Sequence, residues 1–228
     1  ITVVGVLALV AAAVFCYGRV KKTIVANEQE SLKSMAEVNA KSLGASILAK
    51  SDLLYAALSG DMDGLDDVEK GMIKLKEKSS FISSDEVESL ERWQKNVLNS
   101  AIENPREVLI GPIKQTEEGL YVLYMTKAVS IQGKIAGCVQ AELNLDEIYS
   151  EEQGLADLQL GNDGYCIVRA GDAIVMPSDY NQAELSLSHT ASNGCTVEWV
   201  YETKAGTPQS RRKLIAYSMV KAGNEELV

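Results

Sequence analysis

The chain has 228 residues, of which 46% are hydrophobic and 24% are charged, a composition typical of a protein that buries a core. Its formal net charge of −10 disfavours nucleic acid as a partner, because a phosphate-binding surface needs clustered lysine and arginine side chains. The single histidine, His189, argues against a histidine-rich metal site, and the four cysteines lack the CxxC spacing of a zinc ribbon. We therefore expect neither a metal nor a cofactor.

Residues 1–17 read ITVVGVLALVAAAVFCY and contain no charged side chain. Because a helix of about 17–25 apolar residues can cross a bilayer, we predict a transmembrane helix over residues 1–18. The segment Phe15–Tyr17 does not fit the cleavage site of a signal peptide, and a buried core helix would show a polar face. The chain begins at Ile1 rather than methionine, so we expect the span to begin earlier. The basic segment Arg19–Lys22 would by itself place this end of the span in the cytoplasm.

A long helix is predicted after the span. Between Thr23 and Ser59, apolar side chains recur at steps of three, four, seven and eight residues, which places them on one face of a helix. The residues on this face are Leu32, Met35, Leu43, Ile47, Leu54 and Leu58. A helix of this length usually bridges two places or pairs with a second copy. We therefore expect a stalk helix over residues 19–59 that continues the span and supports a homodimer.

Helices are also predicted between Gly60 and Pro105. A turn at Gly60–Gly64 precedes an acidic helix over Leu65–Lys78. Ser83 is followed three residues later by Glu86, and this capping box predicts a third helix that ends before Pro105. This part of the chain is therefore expected to be helix-rich.

The chain after Arg106 is rich in strand-forming residues. A first antiparallel meander is predicted from the strands Val108–Ile113, Leu120–Val129 and Ile135–Leu145. A polar helix and linker then lead to a second meander, with strands predicted over Tyr165–Arg169, Ala173–Met176, Thr196–Thr203 and Lys213–Val220. The predicted fold class is therefore α+β, with a long N-terminal helix before two β units.

Three stretches of the chain carry a resemblance to a known family. The stretch GPIKQTEEGLYVLYMTKAVSIQGKIAGCVQAELNLDEI (Gly111–Ile148) has a Gly-Pro entry, a pair of strands and then a short helix, in that family's order. The stretches GNDGYCIVRAGDAIVMPS (Gly161–Ser178) and RRKLIAYSMVKAGNEELV (Arg211–Val228) are similar to its later hairpin and its closing strands. Placed after an apolar span and a long helix, they resemble the double-Cache, PDC-like sensor domains of bacterial transmembrane receptors.

The resemblance implies two stacked antiparallel β units with flanking helices. A helix-rich membrane-distal unit would occupy residues 60–150, and a membrane-proximal unit would occupy residues 151–228. Residues from about 23 onward would lie outside the cytoplasm, held at the cell membrane through residues 1–18. The basic segment Arg19–Lys22 opposes this orientation, and charge alone leaves the orientation open.

The function implied by the resemblance is that of an extracytoplasmic small-ligand sensor. Ligand binding would be coupled to a histidine kinase, diguanylate cyclase or chemoreceptor output domain that is not part of this segment. We do not expect the segment itself to be an enzyme, because the sequence contains no GxSxG, HExxH or P-loop motif. The alternative is an ectodomain that mediates dimerisation or binds a protein partner without a small ligand.

Six residues are candidates for ligand binding: Trp93, Tyr121, Tyr124, Glu142, Tyr165 and Arg169. The tryptophan is either a core residue or the aromatic wall of a pocket. The first two tyrosines lie on opposite faces of one strand, so only one of them can face a given pocket. The glutamate is a carboxylate in an apolar strand, and it either faces solvent or recognises an amine or hydroxyl group. Tyr165 and Arg169 would line a second pocket in the membrane-proximal unit.

The amino-acid-binding version of the family carries an Arg-x-Trp-Tyr motif and an aspartate in its last distal strand. In this chain Arg92 and Trp93 are adjacent, no tyrosine follows them, and Glu142 stands where the aspartate would be. These departures disfavour a free amino acid as the ligand. Cys166 and Cys195 both fall in the predicted proximal sheet, where a disulfide and two free thiols remain equally compatible with the sequence.

Overall fold

The computed structural model describes residues 2–75, 77–151, 166–171, 173–176, 193–204, 207–223 and 225–228. Within these ranges it does not describe the side chains of residues 2–13, 87, 88, 151 and 193–214. The chain is α+β and begins with one long helix, as predicted.

Helix α1 runs from Thr2 to Leu58 without a break, so the predicted long N-terminal helix is confirmed. Its 57 residues give a length of about 86 Å, at about 1.5 Å per residue. The predicted apolar face enters the core from Leu43 onward. Residue 1 and the side chains of residues 2–13, which make up most of the predicted membrane span, lie outside the described residues. Among the residues that are described, no helix is both long enough and apolar enough to cross a membrane.

The remaining elements follow in chain order. They are β1 (Asp61–Met62), α2 (Leu65–Leu75), β2 (Lys78–Ser83), a 3-10 helix (Ser84–Ser89), α3 (Arg92–Glu103), β3 (Val108–Gln115), β4 (Tyr121–Ile131), β5 (Lys134–Asn144), α4 (Leu145–Glu151), β6 (Val168–Ala170), β7 (Ala173–Met176), β8 (Asn193–Lys204), β9 (Thr207–Ser218), β10 (Val220–Ala222) and β11 (Glu225–Leu227).

By compactness the chain divides into two units. The first unit consists of Ile1–Val38 and Gln182–Ser218, and it contains the hairpin of β8 and β9, which pair antiparallel along their whole length. The second unit consists of Asn39–Asn181 and Met219–Val228, and it contains all the other strands.

The second unit contains a five-stranded sheet around β4. On one side β4 pairs antiparallel with β5, which in turn pairs antiparallel with the edge strand β2. On its other side β4 pairs antiparallel with β3 and, near its end, in parallel with β1. The turn between β4 and β5 consists of Gln132 and Gly133, which both have positive φ angles, as a two-residue hairpin turn requires. The N–H of Gly133 donates a hydrogen bond to Asp61 Oδ1 at 2.7 Å, which ties β1 to this turn.

The five-stranded sheet is covered on both faces. Because side chains alternate along a strand, Leu123 and Met125 of β4 face the main core that also contains residues of α1 and α2. Ala128 points the other way and packs in a smaller core with Leu98 and Ala101 of α3. We call these two sides of the sheet the α1 face and the α3 face.

A four-stranded antiparallel sheet in the order β10-β11-β6-β7 also belongs to the second unit. Its buried residues share the main core with the α1 face. The two sheets approach each other at Gly223, which follows β10 and has a φ of 62°. An added Cβ there would lie 2.5 Å from the carbonyl oxygen of Ile110 in β3, so only glycine fits this contact.

The prediction of helices alone between Leu65 and Pro105 is wrong at β2. Three of the six residues of this strand are serines and one is a lysine, so the strand has little apolar pattern of its own. Its six backbone partners all come from β5, more than fifty residues later in the chain. One half of the predicted capping box is present, since Glu86 Oε2 accepts a hydrogen bond from the Ser83 N–H at 3.3 Å. The Ser83 hydroxyl accepts from the Asp85 N–H at 3.4 Å, and the segment begins only a 3-10 helix.

Most other predicted strands lie where they were expected, with shifted ends. The predicted strand Lys213–Val220 is divided between β9 and β10, and the short strand β11 follows before the end of the chain. Among the described strands of the second unit, β1 pairs in parallel with β4 and the other pairings are antiparallel.

Candidate functional site

The α3 face of the sheet carries a row of polar side chains on neighbouring strands. Lys78 of β2 lies directly opposite Glu142 of β5, and Glu142 lies directly opposite Tyr124 of β4. Side chains at paired positions of neighbouring strands lie on the same face and in contact distance. Strand pairing therefore brings together an ammonium group, a carboxylate and a phenol from three separate parts of the sequence.

Trp93, in the first turn of α3, covers this row. Its ring centroid lies 4.9 Å from that of Tyr124, with 46° between the ring planes. The indole Nε1–H donates a hydrogen bond to Glu91 Oε2 at 2.6 Å, and Lys114 Nζ lies 5.5 Å from the Trp93 ring centroid. We call this group the α3-side cluster, consisting of Lys78, Glu91, Trp93, Lys114, Tyr124 and Glu142.

Lys78 and Glu142 form an ion pair whose two side chains differ in exposure. Lys78 Nζ lies 2.8 Å from Glu142 Oε2, and 81% of the lysine side chain is exposed against 25% of the glutamate side chain. The hydrogen bond and charge of Glu142 raise the pKa of Lys78 above its usual range. Burial, reinforced by the charge of Glu142, raises the pKa of Tyr124 as well. The Tyr124 hydroxyl therefore keeps its proton at neutral pH and can donate a hydrogen bond.

Next to the cluster, the α3 face contains a buried polar pair. Gln140 Nε2 donates a hydrogen bond to Thr126 Oγ1 at 3.3 Å, and both side chains are buried. One row further along, Ala128 and Cys138 pack against Leu98 of α3. The α3 face thus changes from apolar at one end, through a buried polar pair, to charged and aromatic under Trp93.

The structure brings together three of the six predicted site residues. Trp93, Tyr124 and Glu142 lie in one cluster. Tyr121 lies on the opposite face, where it packs against the main core, so Tyr124 is the tyrosine on the side of Trp93. The role of these residues in ligand binding stays a prediction.

The other predicted positions lie elsewhere. Arg169, in β6, exchanges two backbone hydrogen bonds with Val228, at 2.7 and 2.9 Å. Tyr165 lies outside the described residues, as does His189. Cys166 is a free thiol whose pKa is raised by burial to about 11, and the side chain of Cys195 is not described.

Sequence reasoning missed three members of the cluster: Lys78, Glu91 and Lys114. The sequence pattern predicts Lys78 at the end of a helix, and only the strand register places it beside Glu142. Lys114 lies on an exposed strand end, where lysines are common. Glu91 directly precedes Arg92 and Trp93, and its position before a helix is the feature of the sequence that could have indicated a role at the site. Within the described part of the chain, no group of His, Cys, Asp and Glu residues is arranged to hold a metal ion.

No protein-family model matches the sequence, and no curated protein matches it. Solved structures do match. The sensory domain of the Campylobacter jejuni chemoreceptor Tlp3 aligns with a TM-score of 0.58 and 9% identity, over 91% of this chain and 94% of that chain. The ligand-binding domain of the Pseudomonas aeruginosa amino acid chemoreceptor PctC, in complex with GABA, aligns with a TM-score of 0.57 and 13% identity, over 87% and 94% of the two chains.

A third structure, the ligand-binding domain of the Pseudomonas fluorescens chemoreceptor CtaA in complex with L-isoleucine, aligns with a TM-score of 0.55 and 13% identity. The alignment covers 91% of this chain and 92% of that chain. These likenesses concern the fold, because the sequences are only distantly similar. The chain therefore has the fold of the ligand-binding sensory domains of bacterial chemoreceptors.

Proposed function

We propose that this chain is the extracytoplasmic sensor domain of a bacterial membrane receptor and that it binds a small ligand at the α3-side cluster. The fold shared with chemoreceptor sensory domains supports this proposal. The observation that carries it is the convergence of Trp93, Tyr124 and Glu142 on one face of the sheet. Small-molecule sites combine aromatic walls with a few polar groups that fix the orientation of the ligand.

The chemistry of the cluster indicates which ligands to test first. Glu142 supplies a carboxylate, Lys78 and Lys114 supply ammonium groups, and Tyr124 supplies a hydroxyl donor. A ligand that carries both an ammonium group and a carboxylate would find a partner for each charge. GABA and L-isoleucine, the ligands in two of the similar structures, are of this kind. The absence of the Arg-x-Trp-Tyr motif disfavours a free amino acid, but Lys78 is a cation outside that motif that can pair with a carboxylate.

The proposal extends to the architecture of the receptor. It includes a membrane span over residues 1–18, two stacked Cache-like units over residues 60–150 and 151–228, a homodimer, and a kinase, cyclase or chemoreceptor output domain outside this chain. The unbroken course of α1 supports the stalk. Exposed apolar side chains near its start support contact with lipid or a second copy: Val14, Phe15, Tyr17, Val20 and Ile24. Tyr165 and Arg169 remain the proposed residues of a second site.

The proposal is tested by a thermal-shift screen of the 228-residue chain with amino acids, amines, carboxylates, sugars and short peptides. A ligand that binds only the folded state stabilises it, by about 2.7 kcal/mol at a concentration 100 times its Kd. We expect at least one compound to raise Tm. Two matched variants locate the binding: Tyr124→Phe and Tyr121→Phe each remove one hydroxyl group from β4, on opposite faces of the sheet.

Tyr124→Phe should reduce the ligand-induced rise in Tm, and Tyr121→Phe should leave it unchanged. If the two variants change the ligand-induced rise in Tm equally, the ligand does not bind at the α3-side cluster. If no compound in the screen raises Tm, direct sensing of a small ligand is wrong, and the partner-binding ectodomain becomes the better explanation.

A further inference from the structure

The cations of the α3-side cluster already occupy the groups that would recognise a ligand. The ammonium group of Lys78 is bound to Glu142 at 2.8 Å. The ammonium group of Lys114 lies over the face of Trp93, at 5.5 Å from the ring centroid, where an aromatic ring attracts a cation. Within the described part of the chain, Lys114 has no carboxylate partner. A ligand ammonium group that approached Glu142 would therefore compete with Lys78.

The two partners of this ion pair differ in how easily they move. Glu142 is mostly covered and lies near the end of β5, on a strand that is paired with β2 on one side and β4 on the other. Lys78 is the first residue of the edge strand β2, and its side chain is mostly exposed on a long flexible stem. Because the lysine of this partly exposed ion pair is well solvated, the pair changes the binding constant of a competing ammonium group by about five-fold, and a small ligand can displace the lysine.

We propose that Lys78 is an exchange residue that sets the specificity of the site, an inference that rests on the proposed function. When a ligand binds, its ammonium group replaces that of Lys78 on Glu142, and the released Lys78 ammonium group pairs with the carboxylate of the same ligand. One ion pair within the protein is broken, and two ion pairs between protein and ligand form. A ligand with an ammonium group alone breaks the internal pair and leaves Lys78 without a new partner. The exchange therefore favours zwitterions over simple amines.

Two probes of equal chain length separate these cases: GABA carries both charges, and n-butylammonium carries only the ammonium group. Each Kd is measured on the 228-residue chain from the NMR shift of the Trp93 indole N–H, one of only two tryptophan signals. We expect the wild-type protein to prefer GABA. Lys78→Met should lower this preference by about five-fold, because both probes are freed from competition with the internal cation but only GABA loses the partner of its carboxylate. Lys78→Arg should retain the preference.

Lys70→Met is the matched control, because it removes the same charge from another exposed ion pair, in which Lys70 Nζ lies 2.9 Å from Asp67 Oδ1. This control should leave the preference for GABA unchanged. The exchange is overturned if Lys78→Met has no effect on the preference, or if Lys70→Met has the same effect. It is also overturned if neither probe shifts the Trp93 signal in any variant, since Lys78→Met leaves Glu142 open to an ammonium group. The sensor function would survive that result if another compound class raised Tm.

Discussion

The two faces of the five-stranded sheet differ in what their side chains do. On the α1 face, Leu123, Met125 and Val129 of β4 pack into an apolar core with α1 and α2. On the α3 face of the same strand, Tyr124 and Thr126 are polar and lie beside Glu142 and Gln140 of β5. Successive side chains of a strand point to opposite faces of the sheet. Residues next to each other in β4 therefore pack in the apolar core on one face and form the polar cluster on the other.

This difference separates stability from recognition. Burial of apolar surface contributes most of the free energy of folding, so the α1 face should dominate stability. Charged and polar groups near the surface contribute little to stability, but they supply the direction and selectivity that a ligand site needs. Substitutions on the α1 face should therefore change unfolding, and substitutions in the α3-side cluster should change binding.

The largest expected effect comes from Leu123→Ala on the α1 face. Leu123 is fully buried, and removing a buried leucine side chain leaves a cavity that costs about 3 kcal/mol of the free energy of unfolding. Urea unfolding followed by circular dichroism measures this loss. Leu48→Ala is the matched control, since the Leu48 side chain is exposed and its removal should change stability by no more than about 0.5 kcal/mol. Equal losses for the two variants would contradict the assignment of the main core.

A smaller effect is expected from Lys127, the one buried charge on β4. Its Nζ donates hydrogen bonds to the carbonyl oxygens of Pro105 and Ala128, and it lies 5.6 Å from the ring centroid of Tyr55 in α1. Burial lowers the pKa of Lys127 below its ordinary value of 10.5, and the nearby Cys138 partly opposes this shift.

The folded chain therefore releases the Lys127 proton at a lower pH than the unfolded chain. Between these two pKa values the unfolded state binds more protons, so the contribution of Lys127 to stability rises with pH toward 10.5. Unfolding measured over pH 8–10.5 should show this rise in the wild-type protein relative to Lys127→Met. Parallel pH profiles for the two proteins would show that Lys127 is not desolvated.

The smallest effect on stability is expected from Glu142→Gln in the α3-side cluster. The substitution keeps the shape of the side chain and removes one partly exposed ion pair, so the free energy of unfolding should change by less than about 1 kcal/mol. The rise in Tm caused by any ligand with an ammonium group should be lost. A loss of several kcal/mol with unchanged ligand response would reverse the assignment and make Glu142 a structural residue.

Periodic patterns predicted a large part of the fold. The apolar stripe of α1 was predicted from spacing alone, because a helix buries residues separated by three or four positions whatever it packs against. The hairpin of β4 and β5 was also predicted, because its strand-forming residues flank a short glycine turn. The conformation of both elements depends on residues that are close together in the sequence.

Strand β2 and the candidate site could not be predicted in this way. The strand depends on pairing with β5, and its own residues, KSSFIS, carry no clear alternation. Without β2 there is no register that places Lys78 opposite Glu142, and without α3 above the sheet there is no reason to choose Tyr124 over Tyr121.

The sequence by itself thus determined the α+β class, the long first helix and a set of residue types that suit a small-ligand site. Only the tertiary structure decided which of those residues meet. The physical reason is the separation in sequence between interacting residues. Helix and hairpin patterns depend on residues that are close together in the chain. The α3-side cluster instead joins residues as far apart as 78 and 142 through strand pairing and helix packing, which local sequence patterns do not predict.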